Sequence, residues 1–226
     1  VPDVMTTQPL KIAVLVSGNG SNLQVLIDKM QSDQLPIEIV GVISNKADAY
    51  ALTRAQTANI ATAVIDKDEN GKRYTRQGFE QKALEQLSDW QPDLLVLAGF
   101  MRILTPLFID GVTDGMQIPM INLHPSLLPN YKGLDTHSRV LKSGERLHGC
   151  SVHLVNSELD AGAVIAQAVT HVLPHENADQ LQQRVHQMEY QLLPMVVGLF
   201  AQNVVQVNQG QLANPLGMSL PLKLLL

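Results

Sequence analysis

Apolar residues along this chain fall into short unbroken runs separated by stretches with the period of a helix. Lys11 to Ser17 (KIAVLVS) is the first such run. It is rich in β-branched residues, is bounded by Gly18-Asn19-Gly20, and predicts a buried strand. Leu23, Leu26, Ile27 and Met30 then recur at i, i+3, i+4 and i+7, which puts them on one face of a helix. Ile37 to Ser44 (IEIVGVIS) predicts a second strand, Ala51 to Ala58 a helix, and Ala61 to Ile65 a short third strand. Thr75 to Trp90 reads as a helix with Phe79, Ala83, Leu87 and Trp90 on one face. Beyond Pro92-Asp93, Leu94 to Ala98 (LLVLA) is apolar throughout, as expected of a central parallel strand covered on both faces. The alternation predicts an α/β fold, an open, mostly parallel twisted sheet with helices on both faces.

The second half changes character. Met120 to His124 (MINLH) predicts another strand, followed by a loop rich in Pro, Gly and Asn. Cys150 to Val155 and Ala163 to Val172 alternate like a mixed or antiparallel pair. Asn177 can cap a helix running to about Leu193, with Leu181, Val185, Met188 and Leu192 inward. No repeat, linker or low-complexity stretch divides the chain. A single domain over residues 11–203 is therefore expected, with extensions at 1–10 and 212–226. Val1 to Val4, ahead of Met5, read as a remnant of expression and stay outside the fold argument. The Pro-interrupted apolar tail from Asn214 to Leu226 has no pattern that assigns it an element.

Composition narrows the class without naming a chemistry. Of 226 residues, 45% are hydrophobic and 16% charged, which is globular rather than disordered or fibrous. Sixteen Lys+Arg against 21 Asp+Glu leave a net charge of −5, which argues against a broad nucleic-acid surface but not against a local phosphate site. The single Cys excludes a disulfide framework or a cysteine-built zinc site. Val1 to Leu10 lacks the features of a secretory signal, so a reducing cytoplasm is expected. The longest apolar run, Leu94 to Met101, is far short of the roughly 18 residues of a membrane span.

Candidate chemistry sits at the ends of the predicted strands. The first strand leads into SGNGSN, Ser17 to Asn22, at a helix start, where free N–H groups and the helix dipole favour an anion. Leu23 stands where the dinucleotide motif G-x-G-x-x-G needs its last Gly, and no Lys-Ser/Thr follows as in a nucleotide P-loop. A phosphate monoester therefore fits better than NAD or ATP, the plainer reading being a Gly-containing turn and helix cap. Asn122 and His124, at i and i+2 of a strand, project to one face. An amide beside an imidazole suits an oxyanion and a proton transfer. A polar strand end before a Pro-rich loop explains the pair equally well. His153 faces opposite Val152 and Leu154 by alternation, and Asp160 lies in a turn-like stretch. A carboxylate beside an imidazole would raise its pKa and fix its tautomer, but a turn residue and a core histidine are as good a reading. Glu189 stands at the edge of the last helix's apolar face, where it could snorkel or bind hydroxyls or amines. Cys150 reads as packing, and Pro174 between His171 and His175 spoils a helical metal pair, so no metal is expected.

VLVSGNGSNLQ, SNKADA, LAGFMRIL, INLHPSLLP, KGLDTH, HGCSVH, ELDAG and the helix carrying Glu189 together resemble the phosphoribosylglycinamide formyltransferases, from about Lys11 to Phe200. The resemblance implies a Rossmann-like formyltransferase fold. It implies transfer of a formyl group from the co-substrate 10-formyltetrahydrofolate to the amine of 5-phosphoribosylglycinamide, in purine synthesis. By the same resemblance Asn122, His124 and Asp160 are the catalytic trio and His153 supports them. Gly20, Ser21 and Asn22 bind the substrate phosphate, and Glu189 the ribose or glycinamide part. Met101, Arg102, Ile103 and Leu104 edge the pterin pocket, Asn156 to Asp160 close its other side, Asn122 also contacts the folate, and Arg76 meets its carboxylate tail. The partners implied are small molecules, with no nucleic acid and no membrane; a homodimer is compatible with the reading.

The sequence departs from the family at a few points. Asp135 replaces a His in the GLHTH stretch, Ala161 and Ala163 replace Gly and Pro beside Asp160, and His186 stands near the phosphate where relatives carry Lys or Gln. The segment between Arg102 and Asn122 is a few residues longer than the family pattern. These bear on loop dynamics and affinity rather than on catalytic groups. The nearest alternative is a formyltetrahydrofolate hydrolase, which would expect a regulatory domain and has no use for a phosphate cradle. A methionyl-tRNA formyltransferase would expect a tRNA-binding domain and more positive charge. A non-catalytic phosphate-binding module is the alternative of another class.

Overall fold

The computed structural model describes residues 8–208, 210–214 and 216–225; the Val1 to Val4 remnant lies outside them. The chain begins with β1 (Leu10–Val16), α1 (Ser21–Gln31), β2 (Ile37–Ser44), α2 (Tyr50–Thr57) and β3 (Thr62–Val64). It continues through α3 (Arg76–Trp90), β4 (Leu94–Leu97), α4 (Pro106–Asp110) and β5 (Met120–His124). Next come α5 (Thr136–Ser143), β6 (Leu147–Leu154), β7 (Val164–His171) and α6 (Ala178–Ala201). A small hairpin of β8 (Gln206–Asn208) and β9 (Gln211–Ala213) precedes β10 (Leu222–Leu225). The main sheet is eight-stranded in the order β10-β7-β6-β5-β4-β1-β2-β3. The run from β3 to β5 is parallel, β6 pairs antiparallel with β5, and β7 pairs antiparallel with β6 and so runs with the parallel strands again.

Alternation along the strands explains the layers. Ile12, Val14 and Val16 pack with Leu23, Leu26 and Ile27 of α1 and with the apolar face of α6. Ala13 and Leu15 point the other way, onto Phe79, Ala83 and Leu87 of α3 and Phe108 of α4. β1 and β4 are buried from both sides, which is why their sequences are apolar without a break.

The expected strands and the first three helices are present. α4 and α5 were not expected. The cue for α4 is nevertheless local, since Thr105 caps the Phe108 N–H at 3.3 Å and Pro106 occupies the first helical position. A π-helical turn, Gly111–Gly115, follows in the segment noted as long, and holds more residues per turn than an α-helix. α6 runs past the expected end near Leu193, through Pro194, to Ala201. Proline costs that helix a hydrogen bond. The burial of Val196, Val197 and Phe200 in the core outweighs it. The tail is not patternless in space, because Leu222–Leu225 pairs parallel to β7 as an edge strand. Among the described residues, no helix is long and apolar enough to cross a membrane.

Candidate active site

The strand order reverses between β1 and β4, and open α/β sheets bind their ligands outside the carboxyl ends of the strands at such a point. SGNGSN follows β1, the segment to Leu104 follows β4, and Asn122 and His124 end β5. In the first of these, Gly20 is left-handed, with φ 75°, and a Cβ there would stand 2.5 Å from Ala51 Cβ. Ser21 and Asn22 open α1, whose first N–H groups have no partner within the helix. Asn22 Nδ2 donates to Glu189 Oε2 at 3.0 Å, so α1 and α6 present one polar pair. Asn22 Oδ1 is buried without a partner. Burial pushes the Glu189 carboxyl above its ordinary range, against the Asn22 hydrogen bond and the charge of His186, which pull it down.

The second cluster is made by register. β6 pairs antiparallel with β5 so that Asn122 stands opposite His153 and His124 opposite Ser151. Leu123, Val152 and Leu154 face the α1–α6 core, which leaves the polar residues together on the other face. Asn122 Nδ2 donates to His153 Nε2 at 3.1 Å, in the tautomer that donates from His153 Nδ1 to Leu154 O at 2.7 Å. Asp160, left-handed with φ 49°, brings its carboxylate to both histidines. Its Oδ2 lies 3.5 Å from His124 Nδ1 and its Oδ1 3.6 Å from His153 Nε2. Gly133 N–H donates to the same Oδ2 at 2.9 Å, and His124 Nε2–H donates to Tyr131 O at 3.0 Å.

One expectation needs correcting. Asp160 does pull the His124 pKa up, and so does the Tyr131 carbonyl, but burial acts more strongly and the net shift is downward. His124 therefore rests neutral at pH 7. Burial acts to raise Asp160, but the nearby His153 imidazole, the Gly133 hydrogen bond and the His124 imidazole bring it below the ordinary carboxylate range.

The segment after β4 forms the third side. Met101 and Ile103 leave their side chains exposed, at 63% and 56%, whereas Leu104 turns into the core and offers a ligand only its backbone. Arg102 stacks over the Phe79 ring with Cζ 5.0 Å from its centroid. Arg76 is exposed in the first turn of α3. Among the described residues, no group of three or more His, Cys, Asp or Glu side chains is placed to hold a metal.

The sequence model of the family described as Formyl transferase matches residues 10–197. The chain is 41% identical over 212 residues to the phosphoribosylglycinamide formyltransferase of Haemophilus influenzae, covering 93% of this chain and 96% of that protein. The chain belongs to the phosphoribosylglycinamide formyltransferase family. The Escherichia coli phosphoribosylglycinamide formyltransferase is 39% identical over 88% of this chain and 91% of its own. The solved phosphoribosylglycinamide formyltransferase of Coxiella burnetii superposes with a TM-score of 0.81 at 43% identity, over 91% of this chain and 93% of that one.

Set in this formyltransferase fold, several site residues have no signature in the sequence. The Ser17 hydroxyl accepts from Met101 N–H at 2.8 Å and donates to Asn45 Oδ1 at 2.6 Å, joining SGNGSN, SNKADA and LAGFMRIL at one buried group. Ser151 accepts from Leu128 N–H and Gln167 Nε2 and donates to Ser126 O, a hydroxyl with every hydrogen-bonding position used. It anchors the loop that carries Tyr131 and Gly133 beside His124 and Asp160. Glu80, buried in α3, accepts from both the N–H and the hydroxyl of Thr105 at 2.7 Å and so fixes the end of the Met101–Leu104 segment. These contacts join residues far apart in the chain, and polarity at a buried strand or helix position is their only sequence cue. Cys150 is buried, and burial raises its thiol far above the ordinary range, which leaves it a packing residue.

Proposed function

We propose that the chain transfers the formyl group of 10-formyltetrahydrofolate to the amine of 5-phosphoribosylglycinamide, giving the formylamide and tetrahydrofolate. The observation that carries this reading is the clustering of Asn122, His124, His153 and Asp160 where β5 pairs with β6. In this reading the substrate phosphate accepts from the N–H groups at Gly20, Ser21 and Asn22. Glu189, held by Asn22, meets the ribose or glycinamide. The exposed Met101 and Ile103 and the backbone to Leu104 line the pterin, and Arg76 meets the folate carboxylate. A single domain over 11–203 carries both substrates.

The amine attacks the formyl carbon, the carbonyl oxygen becomes an oxyanion, and the bond from that carbon to folate nitrogen then breaks. Asn122 has two amide N–H groups. One is held by His153; the other, only 3.5 Å from Asp160 Oδ1, is weakly held and available to the oxyanion. The attacking nitrogen loses one proton and the departing folate nitrogen gains one, so the His124–Asp160 pair ends with as many protons as it began. His124, neutral, donates its Nε2–H to the oxyanion in place of the Tyr131 carbonyl and passes that proton to the departing folate nitrogen, while Asp160 takes the proton of the attacking amine and returns one to His124 Nδ1. No covalent nucleophile is required.

The test is a difference spectrum. Tetrahydrofolate formation that depends on 5-phosphoribosylglycinamide supports the transfer. Equal turnover of formyl-folate without the ribonucleotide would make the chain a hydrolase, and binding of the ribonucleotide with no turnover would make it a phosphate-binding module.

A further inference from the structure

The SGNGSN loop does not hold its shape alone. Ala51 N–H, at the start of α2, donates to Gly18 O at 3.1 Å. Further along α2, Arg54 directs its whole guanidinium at the same stretch of chain. Nε donates to Asn19 O at 2.9 Å, Nη2 to Asn19 Oδ1 at 2.9 Å, and Nη1 to Gln24 Oε1 of α1 at 3.1 Å. The group lies over the Tyr50 ring, with Cζ 4.8 Å from its centroid, and among the described residues it pairs with no carboxylate.

These bonds have a directional consequence. In a trans peptide the C=O and the following N–H point in opposite directions within one rigid plane. Holding Gly18 O and Asn19 O against α2 therefore turns the N–H groups of Asn19 and Gly20 away from α2. That is the loop face on which the phosphate reading places its ligand. The same fork takes the Asn19 side-chain oxygen and fixes which way that amide points. Gly20 at φ 75° would not hold this geometry by preference, because glycine samples both signs of φ.

We infer that Arg54 is a positioning residue for the phosphate of the substrate: through Asn19 it aims the Gly20 N–H at the phosphate. Its unpaired charge adds to the attraction. The inference rests on the phosphate reading of SGNGSN. A lysine cannot replace it, since an ammonium is a point donor and cannot reach the peptide oxygen and the side-chain oxygen of one residue in a fork.

Steady-state kinetics of Arg54→Ala and Arg54→Lys test it, each checked for an unchanged unfolding midpoint. The expected result for Arg54→Ala is a KM for 5-phosphoribosylglycinamide raised about tenfold, with kcat and the KM for formyl-folate within about twofold. Arg54→Lys recovers less than half of the loss. Asn19→Ala raises the same KM, and adding it to Arg54→Ala gives much less than the product of the two effects. An unchanged KM in Arg54→Ala, equal increases for both substrates, or full recovery by lysine would each overturn the positioning role. Wild-type protein is also compared on the ribonucleotide and its dephosphorylated form. If it does not distinguish them, the phosphate reading itself fails. If it does while Arg54→Ala behaves as wild type, only the role of Arg54 fails.

Discussion

Asn122 and His153 stand directly opposite each other on β5 and β6, and Asn122 Nδ2 donates to His153 Nε2 across a gap of 3.1 Å. A slip of one residue in this ladder would put His153 on the face of Val152 and Leu154 and leave Asn122 unsupported. The imidazole is itself fixed by the Leu154 carbonyl at 2.7 Å, so the strand backbone sets the amide's direction through the ring.

Removing that support is expected to cost turnover rather than binding. His153→Ala lowers kcat on the order of tenfold, the size of one buried hydrogen bond. KM for the ribonucleotide stays near its wild-type value. Steady-state kinetics check it, with the unfolding midpoint as a control for the buried cavity. A wild-type kcat would remove His153 from the support of Asn122.

Asp160 and His124 are coupled with a definite sign. Burial depresses the His124 pKa, and Asp160 opposes that depression from 3.5 Å. Asp160→Asn removes the opposition, so His124 titrates lower still, and the limb of the kcat–pH profile that His124 sets moves to lower pH. His124→Ala lowers kcat by about 10²- to 10⁴-fold with the ribonucleotide still bound. A profile that does not move in Asp160→Asn would show that the two groups are not coupled.

Much of this arrangement is legible along the chain and some is not, for physical reasons. Unbroken apolar runs such as Leu94 to Leu97 mark strands covered on both faces, and the reciprocal Asn177–Gln180 cap forms where Asn177 signals it. The outward face of His153 follows from strand alternation. Its partner does not, because register across a pair of strands is a property of both strands and of the loop between them. The same holds for Ser17 with Met101 and for Arg54 with Asn19, which lie 84 and 35 residues apart. α6 shows the opposite failure, where a local rule against Pro194 loses to the burial of Val196, Val197 and Phe200. The downward shift of His124 was hidden for a related reason. The sequence names the neighbouring carboxylate, but only the fold determines how much water is excluded.

His137 and His148 should make the fold acid-sensitive. Nδ1 of His137 and Nε2 of His148 are 3.0 Å apart. Burial first, and then nearby imidazole charge, hold both pKa values down to about 4. Unfolded, each returns to about 6.5 and binds a proton more readily than in the fold. The contribution of the neutral pair is therefore fully present above pH 6.5 and is lost as pH falls from there towards about 4. Denaturant midpoints from pH 7 to 4.5 are expected to fall, and His137→Gln should flatten the fall. An equal slope in the variant would place the acid sensitivity elsewhere.

Ala161 and Gly162 separate a tolerated departure from one that is not. The family resemblance expects a glycine at the position of Ala161, yet only Asp160 in this turn has positive φ, so alanine at 161 meets no backbone restriction. At Gly162 the limit is space: a Cβ would run into the carbonyl of Leu154, on the strand that carries His153. That carbonyl is the acceptor for His153 Nδ1, and Leu154 N–H is already bonded to Ala163 O at 2.9 Å, so the backbone has nowhere to move. Gly162→Ala is expected to lose about 1–3 kcal/mol of stability. It should also shift Asp160 away from His124 and lower kcat. Ala161→Gly should leave both within error, apart from a few tenths of a kcal/mol from added backbone freedom. Denaturant unfolding and kcat on the two variants check this together. A Gly162→Ala protein as stable and as active as wild type would mean that the turn holding Asp160 is not built on this close approach.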